Sequence, residues 1–422
     1  YSACGLPYYI GGELDDLEVL TPRDAAYFKE KHDIDIKIQH EVVEIHPEQK
    51  TIKVKNLSTG ALFTDTYDQL IIATGAKAFI PDVEGIDMDH VFFLRNVQNA
   101  VAIKAFVEMK KPKKAVIAGS GSIGLEMLEN LMLKNIDVTI VEKDDKITAN
   151  LDPDMAAYLE NILIDKGITV IKSQAVIKIE PFRVTLEDQR TLDADMVLLA
   201  TGIVPNTALA ASIGIKLGES HGIIVNHHMK TNLADISACG DCIETFSAIT
   251  GKPYYRPLGT TANKTGRIAG DVLTGGSLQY QGNLSTCIFK LFDLTIASTG
   301  LSEKEALDEG YDIEIAHSIK PDKPGYFNGD DMVIKAIADR SSQRLLGVQI
   351  IGKSGVDKRI DVFATLLTYK AKVDALFHLD LAYAPPYSTT KDPIHYIGML
   401  LDKAINHNQK NVFNLSDDKR FK

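Results

Sequence analysis

The residues best suited to chemistry lie in two short stretches. The first is a glycine turn, Gly119-Ser120-Gly121-Ser122-Ile123-Gly124, preceded by the apolar run Ala115-Val116-Ile117-Ala118 and followed by helix-forming residues. In a G-x-G-x-x-G turn the first glycine permits the tight bend. The second lets the backbone close on a pyrophosphate, and the third lets helix and strand pack closely. The phosphate charge then rests on the helix N-terminus. Such a turn asks for a carboxylate roughly 20 residues on, at the end of the next strand, to accept from a ribose hydroxyl. Glu142 stands there, in Thr139-Ile140-Val141-Glu142-Lys143. A carboxylate repels a 2′-phosphate and favours NADH, whereas Lys143 beside it pulls towards NADPH. Gly119, Gly121, Ile123, Gly124, Glu142 and Lys143 are therefore the expected dinucleotide contacts.

The second stretch surrounds Cys4, in Tyr1-Ser2-Ala3-Cys4-Gly5-Leu6-Pro7-Tyr8-Tyr9. A lone cysteine is more often a small buried hydrophobe than a nucleophile. The chain has three others, Cys239, Cys242 and Cys287. That is too few for a disulfide scaffold at this length. Cys239-Gly240-Asp241-Cys242 spells C-x-x-C, but no second pair or suitably spaced histidines accompany it. No metal site is expected.

These groups need elements to hold them. At 422 residues the chain exceeds the size of one hydrophobic core. Apolar residues form 45% and charged residues 24%, an ordinary balance for a water-soluble protein. The net charge of -11 argues against nucleic acid as a partner. No apolar run is long enough for a membrane span, and no secretory leader is evident, so a reducing cytoplasm is the expected setting. Strands are predicted over 69–73, 115–118, 138–141 and 196–200, and helices over 96–109, 125–134, 153–166 and 261–273. Strands alternating with helices predict an α/β dinucleotide-binding unit over 113–235. Ala-Thr-Gly closes an apolar strand twice, at 73–75 and 200–202, which suggests two similar nucleotide-binding domains. The charged run Lys110-Lys111-Pro112-Lys113-Lys114 marks a border.

Taken together, Ser2-Ala3-Cys4-Gly5-Leu6-Pro7-Tyr8-Tyr9-Ile10 resembles the single-cysteine subgroup of the pyridine nucleotide–disulfide oxidoreductases. Further motifs along the chain extend the resemblance: Thr74-Gly75-Ala76, Ala200-Thr201-Gly202, Ala238-Cys239-Gly240-Asp241, and the stretch from Pro257 to Arg267. It implies an α/β fold with two Rossmann-like domains, for FAD and NAD, and an α+β C-terminal dimerisation domain. The implied division is 1–112 with 236–281 for FAD, 113–235 for NAD(P)H, and 282–422 for dimerisation. It implies FAD contacts at Thr74, Gly75, Gly240, Asp241, Thr260 and Ala262, and a nicotinamide-side contact at Gly202. A first glycine motif for the ADP half of FAD has no counterpart before Cys4, so the natural N-terminus is expected to lie upstream. The tail beyond Leu401 reads as polar, with no rhodanese domain expected in it.

Within that subgroup, Tyr383-Ala384-Pro385-Pro386-Tyr387-Ser388-Thr389-Thr390-Lys391-Asp392 is similar to a segment of the coenzyme A disulfide and persulfide reductases. The resemblance implies a homodimer in which Tyr383 reaches the partner's cysteine and flavin, with Tyr326 and Tyr387 as further tyrosines at the site. It implies Lys31, Asn263 and Lys391 as contacts for CoA. The expected activity is NAD(P)H-dependent reduction of CoA disulfide or persulfide through Cys4. Two alternatives stay open. One is an NADH oxidase or peroxidase acting through a sulfenic acid on Cys4, with oxygen or peroxide as acceptor. The other is a non-catalytic nucleotide-binding remnant.

Overall fold

A computed structural model describes residues 1–407. The polar tail past that point, and the last part of the expected dimerisation domain, lie outside the described residues. The chain divides into two compact units. The first comprises Tyr1–Tyr9, Leu14–Phe79 and Ile203–Asn283; the second comprises Ile10–Glu13, Ile80–Gly202 and, of the described residues, 284–407.

In the first unit the apolar strand expected over 69–73 forms as Leu70–Ile72. It pairs in parallel with Ile236–Ala238. Both strands feed a core that includes Ile72, Ile223, Met229, Ile236 and Ala238. Burial from both faces is why these runs read as continuous apolar segments and not as alternating ones. An antiparallel meander of His40–His46, Thr51–Asn56 and Leu62–Thr66 contributes Ile45 to the same core. The helix Gly259–Leu273 presents Ile268 and Ala269 to it.

In the second unit a five-stranded parallel sheet runs in the order Val91–Phe92, Met196–Leu199, Lys114–Ala118, Asp137–Val141, Thr169–Ile171. Ile117 and Val197 are fully buried, each contributing about 2 kcal/mol by apolar burial. The helix after the glycine turn spans Ser122–Met132, starting earlier than the expected residue 125 because the turn itself supplies its first residues. A second, antiparallel five-stranded sheet spans Cys287–Leu291 to Leu345–Gly352. The helices Val356–Thr368 and Pro393–Asn406 accompany it.

The boundaries differ from the expected ones in two places. Residues 80–112 cluster with the second unit, because Val91–Phe92 is an edge strand of the parallel sheet beside Met196–Leu199. Residues 203–235 cluster with the first, because Ile203–Pro205 pairs with Ala76–Ala78 and Ile223 and Met229 enter that unit's core. Neither long-range pairing leaves a local compositional signal, and the basic run at 110–114 links the helix Val97–Lys110 to the strand Lys114–Ala118 within the second unit.

Candidate functional site

The structure leaves one cysteine exposed among the four, Cys4. It sits in the short 3-10 turn Ala3–Gly5, which leads directly into the helix Leu6–Gly11. The turn is seated on Leu20. The Ser2 N–H donates to the Leu20 carbonyl at 2.7 Å, and a Cβ on Gly5 would lie 2.3 Å from Leu20 Cδ2. The Leu20 side chain lies close against Gly5, and the neighbouring Cys4 thiol stands at the surface. The other thiols are held protonated. Burial, with Cys242 nearby, pushes Cys239 up to about 11. Burial also raises Cys242 and Cys287. The Cys242 thiol donates to the Cys239 carbonyl at 3.2 Å. The C-x-x-C is therefore core packing around a turn.

The first unit gathers two of the Gly-containing strand ends. Thr74 Oγ1 donates to the Asn206 carbonyl at 2.6 Å, and Asn206 Nδ2 donates back to the Thr74 carbonyl at 3.1 Å. Gly75 has φ +65 with open space where a side chain would stand. Beyond Ile236–Ala238 the chain turns at Gly240 (φ +80), whose N–H donates to Thr265 Oγ1 at 3.1 Å. Tyr255 Oη donates to the Asp241 carbonyl at 2.8 Å. The Cβ of Ala262 lies 3.9 Å from where a Cβ on Gly240 would stand, so these two motifs meet. The helix carrying Thr260, Ala262 and Asn263 starts after Leu258, which offers no side-chain cap. Its first-turn N–H groups suit an electron-rich ligand edge. The Ala262 N–H is already taken by the Leu258 carbonyl, so Thr260 is the better-placed donor. Open glycines beside an uncapped helix start fit a flavin. Lys31 is exposed on the helix Ala25–His32, beside Glu30 at 3.6 Å.

The second unit holds the glycine turn. Gly119 has φ +106, and a Cβ there would lie 2.4 Å from the Ala200 carbonyl oxygen. One on Gly124 would lie 2.2 Å from the Gly119 oxygen, while one on Gly121 meets nothing. Two glycines are required by packing, and the third leaves open space beside the helix start. Gly121 offers no side-chain cap to its helix either. Ile123 is partly buried behind the turn. Glu142 accepts from the Ser120 N–H at 2.7 Å, from Ser120 Oγ at 2.5 Å and from the Asp144 N–H at 3.0 Å. Its carboxylate thus braces the turn, with acceptor capacity left for a ribose hydroxyl. Lys143 is exposed, and Gly202, with φ +103, follows the strand Met196–Leu199. This donor set fits a dinucleotide.

Sequence reasoning passed over Glu126, on the same helix. Burial, reinforced by the charge of Glu129, raises its carboxyl to about 7. Glu129 itself is tied to the Phe292 N–H at 2.8 Å and lies 3.5 Å from Lys290. The signal was Glu126 three residues from Glu129 on a helix of otherwise apolar character. Because the folded-state value is raised, stability falls as pH rises through the ordinary carboxyl range towards 7, and the loss is complete above it. Glu126→Gln is therefore expected to stabilise the protein by at most about 3 kcal/mol at roughly pH 8, with the gain shrinking towards pH 5. Thermal melts across that range check it. A gain that grows towards acid would contradict the assignment.

The tyrosines also lie in the second unit. Tyr326 is in the short 3-10 turn Gly325–Phe327, and Tyr383 and Tyr387 are in a segment of turns before the helix Pro393–Asn406. All three are exposed. The Lys391 ammonium stands over the Tyr396 ring, 5.1 Å from its centre.

Residues 1–263 match the pyridine nucleotide-disulphide oxidoreductase family, and residues 286–393 match its dimerisation domain. The chain belongs to this family. It is a flavoprotein oxidoreductase that uses FAD and NAD(P)H, and the dimerisation domain makes it a homodimer; a catalytically silent remnant is set aside. It is 32% identical over 400 residues to a coenzyme A disulfide reductase of Staphylococcus haemolyticus, covering 94% of this chain and 90% of that one. It is 34% identical over 402 residues to an NADH oxidase of Methanocaldococcus jannaschii, covering 93% and 88%. The structure of an NAD-dependent persulfide reductase from A. fulgidus superposes with a TM-score of 0.92 at 38% identity, covering 96% of this chain and 76% of that one. Among the described residues no helix is long and apolar enough to cross a membrane.

Proposed function

We propose that this oxidoreductase passes electrons from NAD(P)H to the sulfur–sulfur bond of coenzyme A disulfide or coenzyme A persulfide through Cys4, in a cytoplasmic setting. The observation that carries the reading is the exposed Cys4, set against three cysteines that burial keeps protonated. The similarity to a CoA disulfide reductase and a persulfide reductase supports it.

The Cys4 thiolate attacks one sulfur of CoA disulfide. A Cys4–S bond forms, the substrate S–S bond breaks, and the departing CoA thiolate takes a proton. Tyr383 of the partner subunit is the proposed donor of that proton, since a phenol holds one at neutral pH and releases it to a basic sulfur. Lys31 and Lys391 are the proposed contacts for CoA phosphates, with Asn263 as a neutral neighbour. Thr74, Gly75, Gly240, Asp241 and Thr260 would hold a flavin, which would supply the two electrons, drawn from NAD(P)H, that reduce the mixed disulfide. Cys4 returns to its thiolate and the second CoA leaves. One NADH and one proton become NAD⁺ as the disulfide becomes two thiols. With a persulfide the products are one thiol and one sulfide.

Product counting tests this. NADH supplied with CoA disulfide should release two thiols per NADH consumed, and with CoA persulfide one thiol and one sulfide. NADH consumption that tracks oxygen or peroxide and is indifferent to either CoA compound would overturn the proposal in favour of the oxidase reading, which the likeness to the M. jannaschii protein keeps in view.

A further inference from the structure

Arg359 is the largest fully buried side chain of the described residues. It stands in the first turn of the helix Val356–Thr368 and uses all three guanidinium nitrogens. Nε donates to Asp392 Oδ1 at 3.0 Å and Oδ2 at 3.2 Å, and Nη1 to the Gly355 carbonyl at 3.0 Å. Nη2 donates to Asp392 Oδ2 at 2.8 Å, to the Asp322 carbonyl at 3.0 Å and to Ser388 Oγ at 3.2 Å. Ser388 Oγ in turn donates to Asp392 Oδ2 at 2.7 Å. Lys358, its neighbour, donates to the Tyr387 carbonyl at 3.3 Å.

These partners are the anchors of two irregular segments. Asp322 closes the excursion that carries Tyr326. Its N–H donates to the Asp330 carbonyl at 3.0 Å, its Oδ1 accepts from the Asp330 N–H at 2.9 Å, and its Oδ2 accepts from Ser354 Oγ. Ser388 and Asp392 lie in the segment that carries Tyr383, Tyr387 and Lys391. That segment has no ladder of backbone hydrogen bonds to fix it. Asp322, Ser388 and Asp392 are each almost fully buried, whereas Tyr326 and Tyr387 are over 70% exposed. Burying a guanidinium and a carboxylate costs several kcal/mol per ion, and apolar side chains of similar volume fill such a site as well or better. Core filling therefore does not account for the pair. What an arginine adds is a rigid fork that meets acceptors of four residues, Asp322, Gly355, Ser388 and Asp392, at set angles.

We infer that Arg359 is a positioning residue for the acceptor half-reaction: through Asp322, Ser388 and Asp392 it holds the Tyr326 excursion and the Tyr383–Lys391 segment in one mutual arrangement. The inference rests on the proposed role of those tyrosines. It separates two activities of the same enzyme. Hydride uptake, set by the glycine turn, does not depend on Arg359; reduction of the CoA substrate does.

The test uses the flavin-loaded homodimer. In Arg359→Lys, kcat/KM for CoA disulfide is expected to fall on the order of 10- to 100-fold, the scale of a small misplacement of reacting groups. NADH-driven ferricyanide reduction is expected to stay within about twofold of the parent. Ser388→Ala, which leaves the ion pair in place, should show the same split at smaller size. Combined with Tyr383→Phe, Arg359→Lys should add less than about threefold to the loss of Tyr383→Phe alone, because both act on one group. Backbone hydrogen exchange of 322–330 and 383–392 should quicken together in Arg359→Lys.

Parental CoA disulfide turnover in both Arg359→Lys and Ser388→Ala overturns the inference. So does an equal loss of ferricyanide and CoA disulfide activity, or full additivity with Tyr383→Phe. If Arg359→Lys does not fold, Ser388→Ala and Asp392→Asn carry the same comparison. Should Tyr383→Phe and Tyr326→Phe both turn over at the parental rate, the tyrosine reading fails instead. The exchange experiment then still decides whether Arg359 couples the two segments.

Discussion

Cys4→Ser is expected to lower NADH-dependent reduction of CoA disulfide or persulfide by roughly 10³-fold or more, because the hydroxyl can neither attack a disulfide nor hold a mixed one. The fold should be untouched: Cys4 is exposed, its neighbours Ser2 and Gly5 make the contacts that seat the turn on Leu20, and oxygen is smaller than sulfur. Ferricyanide reduction by NADH should persist, since it needs no sulfur. Cys287→Ser is the matched control and should keep its turnover, as burial holds that thiol protonated. Intact-protein mass measurement after incubation with CoA disulfide should find one CoA adduct on the parent and none on Cys4→Ser. Retained acceptor turnover in Cys4→Ser would remove the sulfur mechanism altogether.

The second large effect concerns the glycine turn, where packing and ligand contact can be separated. Gly121→Asp places a carboxylate where the backbone has open space and an ordinary φ of -65. The fold should tolerate it. The added negative charge would meet the dinucleotide pyrophosphate, and kcat/KM for NADH should fall by about 100-fold or more with the melting temperature unchanged. Gly124→Val is the contrast. Its Cβ would lie 2.2 Å from the Gly119 carbonyl oxygen, so it should destabilise the native state by about 3 kcal/mol or more. Both electron acceptors, CoA disulfide and ferricyanide, should lose equally in Gly121→Asp, because both draw on the same hydride. Unequal loss would mean that the turn is not the nicotinamide site.

Much of the site is legible in the amino-acid sequence. The spacing from Gly119 to Gly124 with Glu142 following is a chemical demand written within about 25 residues of chain, and the apolar strands around it are buried on both faces and so read as continuous runs. The structure adds a second use for Glu142, which braces the turn through Ser120. Cys4 is legible only by resemblance. One cysteine carries no statement about its own exposure, which only the folded chain supplies.

The domain borders are least legible. Residues 203–235 join the first unit through the pairing of Ile203–Pro205 with Ala76–Ala78, across more than a hundred residues. Strand propensity says that a segment extends, not which segment it meets. Glu126 escapes notice for a related reason: a glutamate in a helix reads as a solvated face, and only tertiary burial raises its carboxyl to about 7.

The sequence by itself determined the glycine turn and the α/β class, because those follow from local spacing and periodicity, while the type of reaction followed from the resemblance that its motifs carry. Tertiary structure alone decided which thiol is exposed, which carboxyl burial raises to about 7, and how Arg359 ties the Tyr326 and Tyr383 segments together. Each of these depends on what long-range packing removes from water, and desolvation is a property of the folded neighbourhood, not of the residue.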